Sequence, residues 1–389
     1  MQRCFVTVAS VALAVTGWVR LGETHERVNT TVSFDKEITR IVTRKCLMCH
    51  SENNLSIPFT TYEQTRPWAR AIEEEVLRRH MPPWRAQSGY GQFANDIGLT
   101  NRELAFLVAW VEGNGPKTKG QTLVVNLDQG ETAEEDELEI DFERWQLGTP
   151  DLLKTLEVHT VPAGRSEVRR VVVDPGLTSE RWLRALEFKP GDRRVVRAAF
   201  FTVEGTGQWL GSWTPWHGTS TLPQNVAHRL PAGARIVAEI HARGADQPVN
   251  DDGRLGVYFA ETPATDTPID LVIPTSAASN GSHPMKKFSG SLRLTSDFNL
   301  LAFKPANEAG LDSFEVTTRR ADGTVGVLLL VRGVMPEWPT PYILKVPLRI
   351  PRDTELRVTY YYNASATPSA APTLTASVFA GKAPPLTTN

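Results

Sequence analysis

The five residues Cys46-Leu47-Met48-Cys49-His50 carry the most distinctive chemistry in the chain. Two thiols on one helical turn can reach the two vinyl groups of a single porphyrin. The imidazole that follows then comes under the ring as an iron ligand. Thioredoxin-like redox pairs and half-sites for zinc share the Cys-x-x-Cys spacing. Zinc, however, needs a second ligand pair, and a redox fold surrounds its motif with βαβ units. Neither is found here: the chain has three cysteines, and the third, Cys4, stands alone. The spacing therefore predicts one covalent haem c on Cys46, Cys49 and His50. No cysteine pair is left over for a structural disulfide.

A sixth iron ligand has to come from elsewhere. Setting Met1 aside, the methionines are Met48, Met81, Met285 and Met335. Met48 lies between the thiols and points away from the iron, while Met285 and Met335 fall in strand-like sequence. Met81, in His80-Met81-Pro82-Pro83-Trp84, follows a helix, and the two prolines fix the backbone that presents it. Met81 is the predicted ligand. His80 is the competitor, and simple core filling is the other role open to Met81.

The elements that must position these residues are helical. Asp35 to Thr43 brings Ile38, Ile41 and Val42 to one face and leads into the motif. Trp68 to Arg79 places Ala71, Ile72 and Val76 opposite Glu73, Glu74 and Glu75. Thr100 and Glu103 form a capping box for a helix that stops at Gly113. Residues 31–120 are thus expected to form a small all-α domain that needs a cofactor to fill its core. Residues 121–136 are acidic and read as a linker. Beyond them the pattern changes to short β-branched runs between Pro- and Gly-rich turns: Val168–Val173, Arg194–Val203, Arg235–Ile240, Val325–Val331, Tyr342–Val346 and Leu356–Tyr362. This predicts two antiparallel β-sandwiches, 137–270 and 271–389, divided in the loop between Pro263 and Ser282.

The N-terminus reads Met1-Gln2-Arg3-Cys4, then an apolar run from Phe5 to Val19, then Arg20. One positive charge before about fifteen apolar or small residues fits an export signal over residues 1–30. The run is short for a membrane span, which takes roughly 20 residues. Cleavage near Ala12-Leu13-Ala14 or Val15-Thr16-Gly17, an uncleaved membrane anchor and a buried N-terminal element are all compatible with it. With 42 basic and 44 acidic residues the formal charge is −2, which argues against a nucleic-acid partner.

The stretch Cys46 to Gly115 resembles the cytochrome c-like domains that precede copper type II ascorbate-dependent monooxygenase-like modules (peptidylglycine monooxygenase-like) in bacterial proteins. The matching residues are the haem motif, Ile57-Pro58-Phe59 with Tyr62, Arg79 to Trp84, and the helix ending Val108 to Gly113. From Glu139 to about Ala371 the resemblance continues through Glu187 to Gly191, Val195-Val196, Ile240-His241, Gly253 to Ala260 and Tyr362 to Ser365. It implies two eight- or nine-stranded sandwiches, each built to hold one copper. The copper ligands that it implies are largely replaced. Arg197 and Ala198 stand where a His-His pair belongs, and Pro305-Ala306-Asn307-Glu308 stands for Pro-His-x-His. No methionine follows Tyr362. His241 alone matches, and His159, His217 and His228 do not rebuild a set, so copper is not expected.

Ser212 and His217 with an aspartate would make a hydrolase triad, but no nucleophile motif supports one. Trp209, Trp213 and Trp216 cluster with Pro215; they pack a sandwich end or form a carbohydrate or protein surface. The expectation is an exported, periplasmic or cell-envelope monohaem cytochrome that transfers electrons to a protein partner. Its sandwiches would act in docking or scaffolding, and no catalytic residue is assigned. Two other readings are a haem-linked oxidoreductase with its active site in the sandwiches and an accessory subunit of an envelope complex.

Overall fold

The computed structural model describes residues 30–118, 141–278, 285–366, 368 and 370–381, with a two-residue backbone ladder pairing Val124–Val125 and Thr132–Ala133. The N-terminal export signal and most of the acidic linker lie outside the described residues. The chain is mostly antiparallel β-sheet, with a small helical region at its beginning.

A π-helical turn, Phe34–Ile38, runs into helix α1, Thr39–Lys45. Phe34, Ile38, Ile41 and Val42 share one stripe at helical spacing, and all four are buried. Helix α2 is Tyr62–Thr65, α3 is Ala69–Leu77 and α4 is Asn101–Glu112. The capping box is present: Thr100 Oγ1 accepts from the Glu103 amide, and the Thr100 amide donates to Glu103 Oε2 at 2.7 Å. The helices close on a core of Leu47, Phe59, Val76, Leu107 and Trp110.

The first sandwich stacks two antiparallel sheets. One holds Leu152–Thr155, Arg254–Phe259, Arg181–Lys189, Thr219–Thr221 and His228–Leu230. The other holds Ser166–Val173, Ile236–Arg243, Val196–Val203 and Trp209–Trp213. The second sandwich pairs a four-stranded sheet (Ile269–Pro274, Thr373–Phe379, Phe298–Pro305, Tyr342–Ile350) with a five-stranded one. That sheet runs Ser276–Ala278, Lys286–Arg293, Glu355–Tyr362, Leu311–Arg319, Val325–Arg332. All six strand segments expected from the alternation appear as strands. The division between sandwiches comes earlier than expected. Ile269–Pro274 and Ser276–Ala278, inside the supposed dividing loop, already pair with strands of the second sandwich.

A second correction concerns residues 31–120, which do not close as an independent all-α domain. Between α3 and α4 the chain leaves the helices and straps the second sandwich. Its two outer strands there, Val325–Arg332 and Tyr342–Ile350, would otherwise present unpaired backbone groups. The Gln87 amide donates to Leu330 O at 2.8 Å, and the Ala94 amide donates to Ile343 O at 2.7 Å. Asn95 Nδ2 donates to Pro341 O at 2.7 Å. Trp84, Phe93 and Ile97 sit in the buried core of that sandwich, with the Trp84 and Phe93 rings 5.3 and 5.6 Å from the Tyr342 ring. Gly91 makes the strap possible. It holds φ +80°, and a Cβ there would meet Leu328 O at 2.6 Å.

Candidate cofactor site

The motif continues the last turn of α1. The Cys46 amide donates to Val42 O, and the amides of Cys49 and His50 both donate to Cys46 O, at 3.0 and 2.9 Å. This turn buries Leu47 completely in the helical core and turns Met48 outward against the second sandwich. Cys46 and Cys49 are free thiols, partly buried on the same turn. Burial pushes both up to about 12. For Cys46 the neighbouring Cys49 adds to the effect, whereas the positive charges of Arg193 and Arg197 oppose it at Cys49. A dithiol redox centre works through a thiolate with a lowered pKa, so this pair is shifted in the wrong direction for that chemistry.

His50 is held by two contacts. Its ring stacks on Phe59 with centroids 4.3 Å apart and planes 6° from parallel. Its Nδ1 lies 2.9 Å from Ile57 O, and because a carbonyl only accepts, Nδ1 carries the proton and donates it. Burial holds the imidazole below its ordinary pKa and therefore neutral. The lone pair is left on Nε2, which has no hydrogen-bond partner among the described residues. A neutral imidazole with Nδ1–H anchored to a backbone carbonyl is the form that ligates a metal through Nε2. The donor set thus fits the haem expected from the sequence.

Met81 follows α3, whose end is marked by Arg79 at φ +57°. The Met81 amide donates to Glu75 O at 3.3 Å, and its side chain lines a cavity of about 120 Å³ with Val76, Trp84, Leu99 and Leu104. Val76 belongs to the helical core, against which Cys46, Leu99 and Leu104 also pack. Met81 is thus tied to the helical core through Val76, Leu99 and Leu104, while no residue of the Cys46–His50 motif lines the cavity itself. The competitor turns away: His80 Nδ1 lies 3.4 Å from Glu75 Oε2, with both side chains about half exposed.

Four of the positions tied by resemblance to copper, His241, Pro305, Ala306 and Asn307, come together at one cavity. Ala198 stands opposite His241 in the strand register, so no imidazole faces His241 there. His241 Nε2 is 3.1 Å from Glu239 Oε1, and the other oxygen of that carboxylate, Oε2, accepts from Arg170. His241, Pro305, Ala306 and Asn307 line one cavity of about 190 Å³ between the sandwiches, together with Pro83 and Arg85 from the strap. Met335 lines it too, a placement that depends on tertiary packing alone. Among the described residues no group of three or more His, Cys, Asp or Glu could hold a metal ion.

His217 and His228 line a different groove, and burial holds both down to about 4. Above the ordinary value of 6.5 they are neutral in folded and unfolded chains alike. As the pH falls from 6.5 toward 4, the unfolded chain takes up protons that the folded one refuses, and stability is lost. For His228 this reaches roughly 3 kcal/mol at pH 4. Thermal midpoints measured between pH 7 and pH 4 should fall less steeply for His228→Gln than for the wild type. Equal slopes would contradict this.

The tryptophans are core, not surface. Trp209, Trp213 and Trp216 are 4%, 2% and 9% exposed. Trp213 lies in the first core and Trp216 packs into the second, its ring 6.1 Å from Trp338. A docking or carbohydrate surface built on them is ruled out by their burial.

No family model matches the chain. No curated protein matches it either. Solved structures give remote likenesses. The major capsid protein P2 of bacteriophage PM2 is 12% identical over 59% of this chain and 96% of its own, with a TM-score of 0.27. The tandem CBM51 modules of a family 98 glycoside hydrolase from Streptococcus pneumoniae are 11% identical over 57% of this chain and 83% of theirs, at 0.19. A triple jelly-roll protein of an archaeal virus is 8% identical over 58% of each chain, also at 0.19. Likenesses this remote carry no inference about activity. No helix among the described residues is long and apolar enough to cross a membrane.

Proposed function

We propose that the chain is a monohaem c-type cytochrome of the cell envelope, joined to two copper-less monooxygenase-like sandwiches. The haem would be held by Cys46 and Cys49 as thioethers and by His50 and Met81 as ligands to its iron. Bound there, it would supply one-electron redox chemistry. The observation that carries this reading is the bond from His50 Nδ1 to Ile57 O, which frees Nε2 on the residue that follows the two thiols. Phe59 fixes the ring plane, and Leu47 anchors the turn in the core, so the chain's own residues orient the ligand.

Met81 gives the reading a direct test. A His/Met pair raises the potential and closes the iron to added ligands. The Met81→Ala protein should therefore bind carbon monoxide or cyanide and show a lower potential in a spectroelectrochemical titration. An unchanged spectrum and potential would remove Met81 from the iron.

One observation favours a second reading, in which the haem serves an active site in the sandwiches. The cavity that holds His241 and Asn307 is lined also by Pro83 and Arg85, two and four residues beyond Met81. Turnover of a small substrate that is lost on His241→Ala, with the haem spectrum intact, would support it.

A further inference from the structure

Two arginines of the first sandwich lie close to the motif with no carboxylate among the described residues to neutralise them. Arg193 Nη2 donates to Met48 O at 3.1 Å and to Pro215 O at 3.0 Å, and its guanidinium lies 3.8 Å over the Phe142 ring. Its Nε is buried without a partner. Arg197 donates to Arg194 O at 3.0 Å and lies over the Trp338 ring at 5.1 Å. Both guanidinium groups are near enough to act electrostatically on Cys49. The surrounding carboxylates are engaged elsewhere: Asp192 with Arg194, Glu143 with Arg254 and Glu52 with Gln64. Partly buried cations left unpaired cost stability, so their placement calls for a compensating gain.

We propose that Arg193 and Arg197 are positioning residues of the haem: Arg193 clamps the Cys46–His50 turn to the first sandwich, and the two charges together hold the reduction potential up. This rests on the haem reading above. Reduction adds one negative charge to the iron–porphyrin unit, and fixed positive charge in a poorly solvated junction favours the reduced form. The clamp acts through the Met48 carbonyl, on the backbone between the two cysteines. The first sandwich then sets the electronic properties of a centre that it does not ligate.

The test is a potentiometric titration of the full-length protein, expressed with a haem-attachment system, followed at the haem absorption band. Arg193→Gln and Arg197→Gln should each shift the redox equilibrium toward the oxidised form by on the order of tenfold, about 59 mV for a one-electron couple. Both should retain covalent haem. Arg197→Lys should recover most of the shift. Arg194→Gln should leave the potential in place, because that side chain is exposed and already paired with Asp192. If Arg193→Gln does not fold, Arg197→Gln and its lysine counterpart carry the test, since Arg197 makes a single hydrogen bond among the described residues. Haem retained at an unchanged potential in the Arg197 variant overturns this proposal alone. A wild-type protein with no covalent haem overturns the functional reading and this proposal with it.

Discussion

A fragment beginning at residue 137 is expected to fold its first sandwich and fail to fold its second. The strand pattern places both sandwiches within 137–389, but the structure puts Trp84, Phe93 and Ile97 in the second core. Truncating one buried Trp or Phe costs about 3–5 kcal/mol, and whole domains are stable by only about 5–15 kcal/mol. Removing the strap deletes all three side chains and exposes the outer strands Val325–Arg332 and Tyr342–Ile350, which invites aggregation. Urea unfolding followed by near-ultraviolet circular dichroism should show one transition for the fragment, and a second restored when a peptide covering residues 82–98 is added. In the full chain, Trp84→Ala combined with Phe93→Ala should lower the midpoint of the second sandwich and spare the first. A fragment with both transitions at full-chain midpoints would disprove the role given to the strap.

The second large effect concerns attachment. Wild-type protein made with a haem-attachment system should keep its haem after denaturation and acid extraction. Cys46→Ala and Cys49→Ala should each weaken that linkage, and the double variant should lose it entirely. His50→Ala should leave the thioether chemistry possible but deprive the iron of its neutral, carbonyl-anchored ligand. Colourless wild-type protein, or haem that extracts freely, would falsify the central proposal.

Much of the local structure was legible because local rules govern it. The Thr100–Glu103 capping box, the buried stripe of Ile38, Ile41 and Val42, and the alternation in Val325–Arg332 all follow from periodicity and end chemistry. The strap was not legible, since Pro82, Pro83, Gly89 and Gly91 read simply as a loop. What made it a structural element was pairing with strands some 250 positions later, for which a single sequence carries no signal. The tryptophans pack as the first of the two readings expected, but their partners were hidden for a related reason. A turn-rich segment suggests exposure, yet Trp216 is covered by a residue of another sandwich, Trp338. At the site, Cys46, Cys49 and His50 announced themselves by spacing. Ile57 as carbonyl acceptor and Arg193 and Arg197 as neighbours depend on tertiary placement alone.

The strap also bears on the order in which the molecule is assembled. Asn95 bonds to Pro341 across 246 positions of sequence, so this stitch forms only after the last strands are available. Closing such a long loop is slow compared with forming α1 or α4. The helical region is therefore made first and locked last. In the interval the segment from Trp84 to Ile97 is not yet tied to the second sandwich. Completion of the C-terminal sandwich then draws the strap in, so the last strands of the chain close a segment laid down far earlier.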